Sequence, residues 1–451
     1  MQDATALAAA IDDGRVTARS VMDASLTAAK AHKALGAVVY LDEDMARAAA
    51  EAADAVPKTQ RGPFHGVPFL LKDLGAAARG LPQAAGSAAL RRRQTVPQTD
   101  SDLVTAFRRG GLVPFGITAT PPFGLSLTCE PEGHPPSRNP WNHERTPGGS
   151  SGGAAAAVAS GIVAIAHATD AAGSIRVPAA CCGLSALKPS RGAVPGGPDF
   201  TNHLMGIASE LVLARSVRDV EAAFRIACPS GVHPPLPEVP RVGLALPERC
   251  GDRQNAATRA AADALQDAGC IVQTIAPPDD LGAKAQGLAR TILAVSLAEW
   301  LNGLEVANDE VPPLAAAMAE EGRARPATAL FAVSRDIERL SAKAAALFET
   351  CDAILTPTLA TAPPPVGAND LSGSDPTAHL ARMEAFAPNA ALANVAGLPA
   401  LAVPYGMSEK LPLGVQLLGP RGSDLTLIKL GAMIEARAPD LRFPYPIAGF
   451  P

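Results

Sequence analysis

The stretch from Thr146 to Gly192, TPGGSSGGAAAAVASGIVAIAHATDAAGSIRVPAACCGLSALKPSRG, constrains the fold more than any other part of the chain. It is built mostly of small residues, and its glycines admit backbone dihedrals closed to other residues. Four glycines flank Ser150-Ser151, and a run of alanines starts directly afterwards. Such a turn opens a helix whose free N–H groups favour developing negative charge. Further on, Thr169-Asp170-Ala171-Ala172-Gly173-Ser174-Ile175-Arg176 ends a second run of small residues on a serine. Bare backbone N–H groups around it can converge on one oxygen. The segment 152–168 falls short of the ~20 apolar residues of a membrane span and carries His167 near its end. It reads as a tightly packed interior helix.

Around this stretch, short apolar runs alternate with helical patterns. AVVYL (37–41) lies between helical patterns at 16–30 and 42–55. Val67-Pro68-Phe69-Leu70-Leu71 suits a buried strand that delivers Lys72 at its end. Residues 102–109 form a short helix stopped by Gly110-Gly111. The second half continues with strands at 241–247, 270–275 and 351–357 and helices at 254–268, 283–305 and 327–349. Residues 399–406 and 413–419 form a hairpin, and Ser423 caps a last helix through Ala436. The alternation predicts an α/β layer fold with helices covering a sheet. The Pro-rich stretch 229–240 has linker composition, but the rhythm resumes beyond it, so one domain over 1–451 is expected.

Composition narrows the partners. Charged residues make up 18%, against about 25% in typical globular chains, and the formal net charge is −5. Nothing here attracts a polyanion, so no nucleic-acid partner is expected. The seven cysteines form no CxxC pair and have neither disulfide-framework nor metal-ligand spacing. They read as reduced thiols of a cytoplasmic protein, and neither metal nor cofactor is expected. The N-terminal residues, with Asp3, Asp12 and Asp13, lack the basic start and apolar core of a signal peptide.

Three serine patterns compete for the chemistry. Gly148-Gly149-Ser150-Ser151-Gly152 fits the nucleophile elbow of α/β-hydrolases, which would make the chain an esterase using Ser150. That elbow needs a strand directly before it, and residues 142–147 are polar and end in proline. Ser185-Ala186-Leu187-Lys188 fits the S-x-x-K of β-lactamases without their companion motifs. The third is Ser174 with Ser150 and Lys72. GGSSGG alone is also linker composition, but here it stands between structured segments.

GVPFLLKDL (66–74), GGSSGG (148–153) and TDAAGSIRVPAACCGLSALKPSRG (169–192) together resemble the amidase signature family. NPWN (139–142), ARSVRDV (214–220), DAILTPT (352–358) and the 397–420 region extend the likeness over nearly the whole chain. The resemblance implies a single domain with a mixed β-sheet of about eleven strands, helices on both faces, a signature core near 60–220 and pocket helices near 280–350. It implies Ser174 as nucleophile, Ser150 as a bridging serine with a cis peptide, and Lys72 as base. The N–H groups of Ala171, Ala172, Gly173 and Ser174 would form the oxyanion hole, supported by Ser151, Thr169, Asp170 and Arg176. Where the family has a GTDxGGSIR pattern, this chain has Ala168 and Ala172, and a Cβ at 172 narrows the room near the oxyanion. Within the family the chain looks most similar to bacterial hydrolases of synthetic amides, the nylon-oligomer and urethane-cleaving enzymes. An amidotransferase-type glutaminase subunit shares the signature. The modest acidity and the lack of a basic cluster beyond Arg91-Arg92-Arg93 argue against it.

The chemistry explains the residue types. An amide needs an activated nucleophile, a stabilised oxyanion and a protonated leaving nitrogen. A serine hydroxyl needs an adjacent base, and a lysine serves only when neutral. Its reference pKa near 10.4 must fall by several units, which burial in an apolar strand can achieve. No charge among the candidate walls (121–138, 196–210, 283–340 and 361–378) anchors a charged substrate. A neutral, fairly apolar amide or carbamate is therefore expected, with Phe123, Cys129 and Met205 as candidate lining residues and a monomer or homodimer as the working form.

Overall fold

The computed structural model describes residues 2–198, 200, 202–228 and 235–451. Its strands are β1 (Val38–Leu41), β2 (Pro68–Lys72), β3 (Val113–Thr118), β4 (Ile165–Asp170), β5 (Ala186–Lys188), β6 (Ser209–Ala214), β7 (Arg241–Leu244), β8 (Ile271–Thr274), β9 (Ala353–Pro357), β10 (Ala400–Ser408) and β11 (Leu411–Leu418). They pair as a five-stranded sheet, β1-β3-β2-β4-β6, and a six-stranded sheet, β5-β10-β11-β9-β7-β8. Both are mixed. β2 runs parallel to β3 and β4, whereas β4 and β6 are antiparallel. In the second sheet β7, β8 and β9 are parallel, and β10 and β11 run antiparallel to their neighbours.

Just before β5, Ser185 exchanges both backbone hydrogen bonds with Ala214, at 2.9 and 3.1 Å. That single bridge joins the two sheets edge to edge, so the expected sheet of eleven strands is present as five and six with a one-residue seam.

β2 is buried at every position, as an apolar run between two parallel neighbours must be. The interior helix expected over 152–168 is shorter: it covers Gly152–Ala159, and after a five-residue connection β4 starts at Ile165. The break falls at Ser160-Gly161. Gly161 has φ +74°, and a Cβ there would sit 1.9 Å from the Pro446 carbonyl oxygen. Beyond it the β-branched Ile162, Val163 and Ile165 favour extended backbone. No helix among the described residues is long and apolar enough to cross a membrane.

The hairpin turn is tighter than its sequence suggested. Ser408 pairs with Leu411, leaving only Glu409 and Lys410 between, with φ +50° and +66°. Ser423 precedes the last helix (Asp424–Glu435), but its hydroxyl donates to Pro420 O and leaves the helix end uncapped. The Pro-rich segment lies outside the described residues over 229–234, and 235–240 lead directly into β7.

Candidate active site

β2 carries Lys72 into the interior, where it is fully buried. Its Nζ lies 2.8 Å from Ser150 Oγ and 2.7 Å from Thr169 Oγ1, within hydrogen-bond distance of both. Burial pushes the amine down from 10.5 to about 7, only partly opposed by Cys129 and the carboxylates of Asp170, Glu210 and Asp73. A neutral amine is thus accessible near neutral pH, as a general base requires.

Ser150 follows a cis Gly149–Ser150 peptide, and its carbonyl accepts from Thr120 Oγ1 at 2.9 Å. Residues 147–151 contain no strand, so Ser150 does not stand on a nucleophile elbow. Ser151 supports the neighbouring strand: its hydroxyl donates to Thr169 O at 3.2 Å and accepts from Thr169 N–H at 3.3 Å. Ser185 and Lys188 of the S-x-x-K match make no bond to one another. Lys188 Nζ donates to Pro189 O at 2.6 Å.

Ser174, Ser150, Thr169 and Ala171 open on one narrow cleft. The hydroxyls of Ser150 and Ser174 share this cleft without a direct hydrogen bond. About 50 Å³ of it is open, room for a few waters. A larger groove of about 710 Å³ lies at the C-terminal tail around Phe443 and Tyr445, but none of the expected site residues reaches it.

The loop bearing Ser174 is held by Asp170, whose carboxylate accepts from the N–H groups of Gly173 at 2.6 Å and Ile175 at 3.1 Å. Arg176 grips the same carboxylate through Nε at 2.9 Å and Nη2 at 3.0 Å. Burial opposes the charge on Asp170, yet the Arg176 guanidinium outweighs it and holds the carboxyl at about 2. The Gly173 N–H is therefore committed to Asp170. Of the four expected oxyanion donors, Ala171, Ala172 and Ser174 keep N–H groups with no partner among the described residues. Ala172 does not line the cleft; partly buried, it packs against a core cluster, as Leu204 and Met205 also do.

Of the three candidate lining residues, Phe123 lines the cleft and the other two do not. Cys129 is wholly buried against the start of the Gly152–Ala159 helix, where a Cβ on Gly152 would meet it at 2.5 Å. Its thiol accepts from Ser137, and burial pushes it up to about 12. Met205, partly buried, packs against a core cluster without lining the cleft, whereas its neighbours His203 and Leu204 line it. The 361–378 loop packs on the chain near 126 and 145, away from the serines: Asn369 O accepts from Ser126 Oγ, and Pro365 bridges Arg145.

Several site residues had no signal in the sequence. His167 Nδ1 accepts from the Lys72 backbone N–H at 3.3 Å, so Nε2 carries the proton toward Glu210 Oε1, 3.1 Å away. The pair braces the end of β2. Asp73, raised to about 6 by burial, accepts from the N–H groups of Ala84 and Gly86 and folds the following loop over the strand. Lys188 is a second buried amine pushed to about 7, by burial and by the Arg176 charge, but it does not line the cleft. Trp300, on the helix Asp279–Gly303, closes the far wall with Leu293, Ser296 and Leu297.

Comparison with known proteins agrees with this architecture. A putative amidase, AmiC, of Mycobacterium tuberculosis is 33% identical over 98% of this chain and 96% of its own length. The 6-aminohexanoate-cyclic-dimer hydrolase of Paenarthrobacter ureafaciens is 31% identical over 97% of this chain and 95% of its own. A solved structure of 6-aminohexanoate cyclic dimer hydrolase superposes with a TM-score of 0.87 at 31% identity, over 97% of both chains. The Amidase family model matches residues 20–243 and 246–428, and with it the chain belongs to the amidase family, the amidohydrolases of the amidase signature.

Proposed function

We propose that this amidohydrolase cleaves a neutral, fairly apolar amide or carbamate through a covalent Ser174 intermediate, with Ser150 and Lys72 as its proton relay. The observation that carries the reading is the buried amine of Lys72, 2.8 Å from a serine hydroxyl that faces the same cleft as Ser174. Neutral Lys72 takes a proton from Ser150, which takes one from Ser174 as that oxygen attacks the carbonyl. The negative charge that develops on the carbonyl oxygen meets the unpartnered N–H groups of Ala171, Ala172 and Ser174. Donors of this kind contribute about 10²–10³-fold each. The relay run backward delivers the proton to the leaving nitrogen, and water then cleaves the acyl- or carbamoyl-enzyme. A carbamate would yield amine, alcohol and carbon dioxide.

Substrate neutrality rests on the described residues of the cleft walls, among which there is neither a carboxylate nor an arginine. The 6-aminohexanoate-cyclic-dimer hydrolases among the relatives act, by name, on a neutral amide, which supports the same class here. The chain is proposed to work in the cytoplasm as a monomer or homodimer on a small molecule, without nucleic acid.

The test is release of aniline from an aryl amide and an aryl carbamate. Ser174→Ala should reduce both to background and Ser150→Ala should cost about 10²–10⁴-fold, while a serine-directed phosphonate should label Ser174. Labelling of Ser150 would overturn the assignment of the nucleophile.

A further inference from the structure

The wall of the cleft facing the serines is a chain of rings. Phe123 meets Trp300 edge-on at 5.5 Å, Trp300 meets His203 edge-on at 6.2 Å, and His203 stacks on Phe200 at 4.6 Å. Such contacts fix ring orientation. Within this apolar wall the His203 ring nitrogens and the Ser296 hydroxyl make no hydrogen bond among the described residues, although both residues line the cleft. Ser296 is unusual in this respect. Thr291 on the same helix and Ser341 on Ala327–Ala345 turn their hydroxyls back to the carbonyl four residues earlier. Ser296 makes no such bond, and it lines the cleft. Both residues are half-buried, and a substrate that displaces water from their polar groups must supply hydrogen bonds in its place.

The backbone that presents these groups is strained. Phe123, Leu204 and Met205 hold φ of +55°, +53° and +53°, and left-handed backbone in such residues costs on the order of 1–3 kcal/mol each. The strain falls on the segments that carry Phe123 and His203 to the cleft. Burial, with the Lys72 charge adding to it against the opposing pull of Glu210, lowers His203 below its ordinary 6.5. At neutral pH the imidazole thus offers one donor and one acceptor.

The geometry points to His203, with Ser296, as a specificity-determining pair that hydrogen-bonds a second, non-scissile amide or carbamate group on the substrate. This inference rests on the proposed hydrolase reading and names its substrate class more closely: a neutral molecule with two amide-type groups along an apolar chain. An amide presents one donor and one acceptor, the complement of a neutral imidazole and a hydroxyl. Among the described lining residues a charged group would find neither a carboxylate nor an arginine as counter-ion.

The test compares two p-nitroanilides of equal length, one of a plain fatty acid and one in which an amide replaces two methylenes of that acid. The readout is the ratio of their kcat/KM values in the full-length wild type, His203→Phe, His203→Asn and Ser296→Ala. His203→Phe keeps a ring for stacking but loses the hydrogen bonds. It should lower the ratio in favour of the amide-bearing anilide about tenfold, chiefly through KM, and His203→Asn should recover part of it. Ser296→Ala should shift the ratio the same way. A packing role would slow both anilides together and leave the ratio unchanged, and that result would overturn the inference. Ser174→Ala runs alongside: turnover that survives it overturns the nucleophile, whereas the ratio judges the His203 wall whichever serine attacks.

Discussion

Lys72 has consequences for pH that can be measured separately in rate and in stability. Its amine is held at about 7 in the native chain, chiefly by burial, against 10.5 when exposed. As the base, it must be neutral to act, so kcat/KM should rise with pH through a single ionisation near 7 and level off above it. A profile flat from pH 5.5 to 9 would remove Lys72 from the relay. Stability follows from the same shift. Between 7 and 10.5 the unfolded chain binds more protons at this site than the native one, so the native state gains stability as pH rises through that window. Below 7 the cost of burying the amine is present in full, on the order of 5 kcal/mol. Lys72→Met lacks this term and loses the bonds to Ser150 and Thr169 as a constant offset. Its urea midpoint relative to wild type should therefore be most favourable at pH 6 and decline steadily toward pH 9.5.

At the scale of elements, legibility in the sequence followed the range of the contacts that decide each feature. β2, the helix Asp102–Arg109 and the β10–β11 hairpin are fixed by local apolar patterning and Gly stops, and each stands where the sequence put it to within two residues. β3, β5 and β6 had no such signal: β3 carries Pro114 and Gly116, β5 spans three residues, and β6 reads equally as helix. The motif serines stood out by their small-residue surroundings and Lys72 by its place at the end of an apolar run, but only the resemblance to the amidase signature family joined the three as one candidate site. Cys129 and Met205 were misplaced because nothing local distinguishes a side chain facing a cleft from one facing the core. His203, Trp300 and Ser296 were missed for the same reason, since elements far apart in sequence bring them together. The hairpin turn offers a test at this scale. Positive φ at both central residues is the signature of a type I′ turn, which favours Asn-Gly, yet Glu409 and Lys410 occupy it. Replacing the pair with Asn-Gly should relieve backbone strain and raise stability by about 1 kcal/mol, read as a higher thermal midpoint with kcat unchanged. A lower midpoint would mean that the Glu409–Arg253 ion pair outweighs the turn.

Across the whole molecule, the one-residue seam between Ser185 and Ala214 is a slender join for two sheets, so other contacts must hold them together. One apolar cluster does so, running from Phe69, Ile165 and Leu213 of the first sheet to Leu187, Val403 and Leu417 of the second. Arg176 adds a polar tie. Besides gripping Asp170 at the end of β4, its guanidinium donates to Gln416 on β11 at 2.8 Å and to Ala390 O and Asn394 from the segment before β10. If the shared core dominates, the chain folds as one unit, and tryptophan fluorescence and far-ultraviolet circular dichroism should report a single coincident transition in urea. Arg176→Met leaves Asp170 buried without its cation, which costs about 3–5 kcal/mol. Asp170→Asn with Arg176→Met removes the orphaned charge and should recover part of that loss. Coincident transitions at a lower midpoint are expected in the single variant. If its two probes separate, the sheets are independent units for which Arg176, rather than the common core, was the coupling.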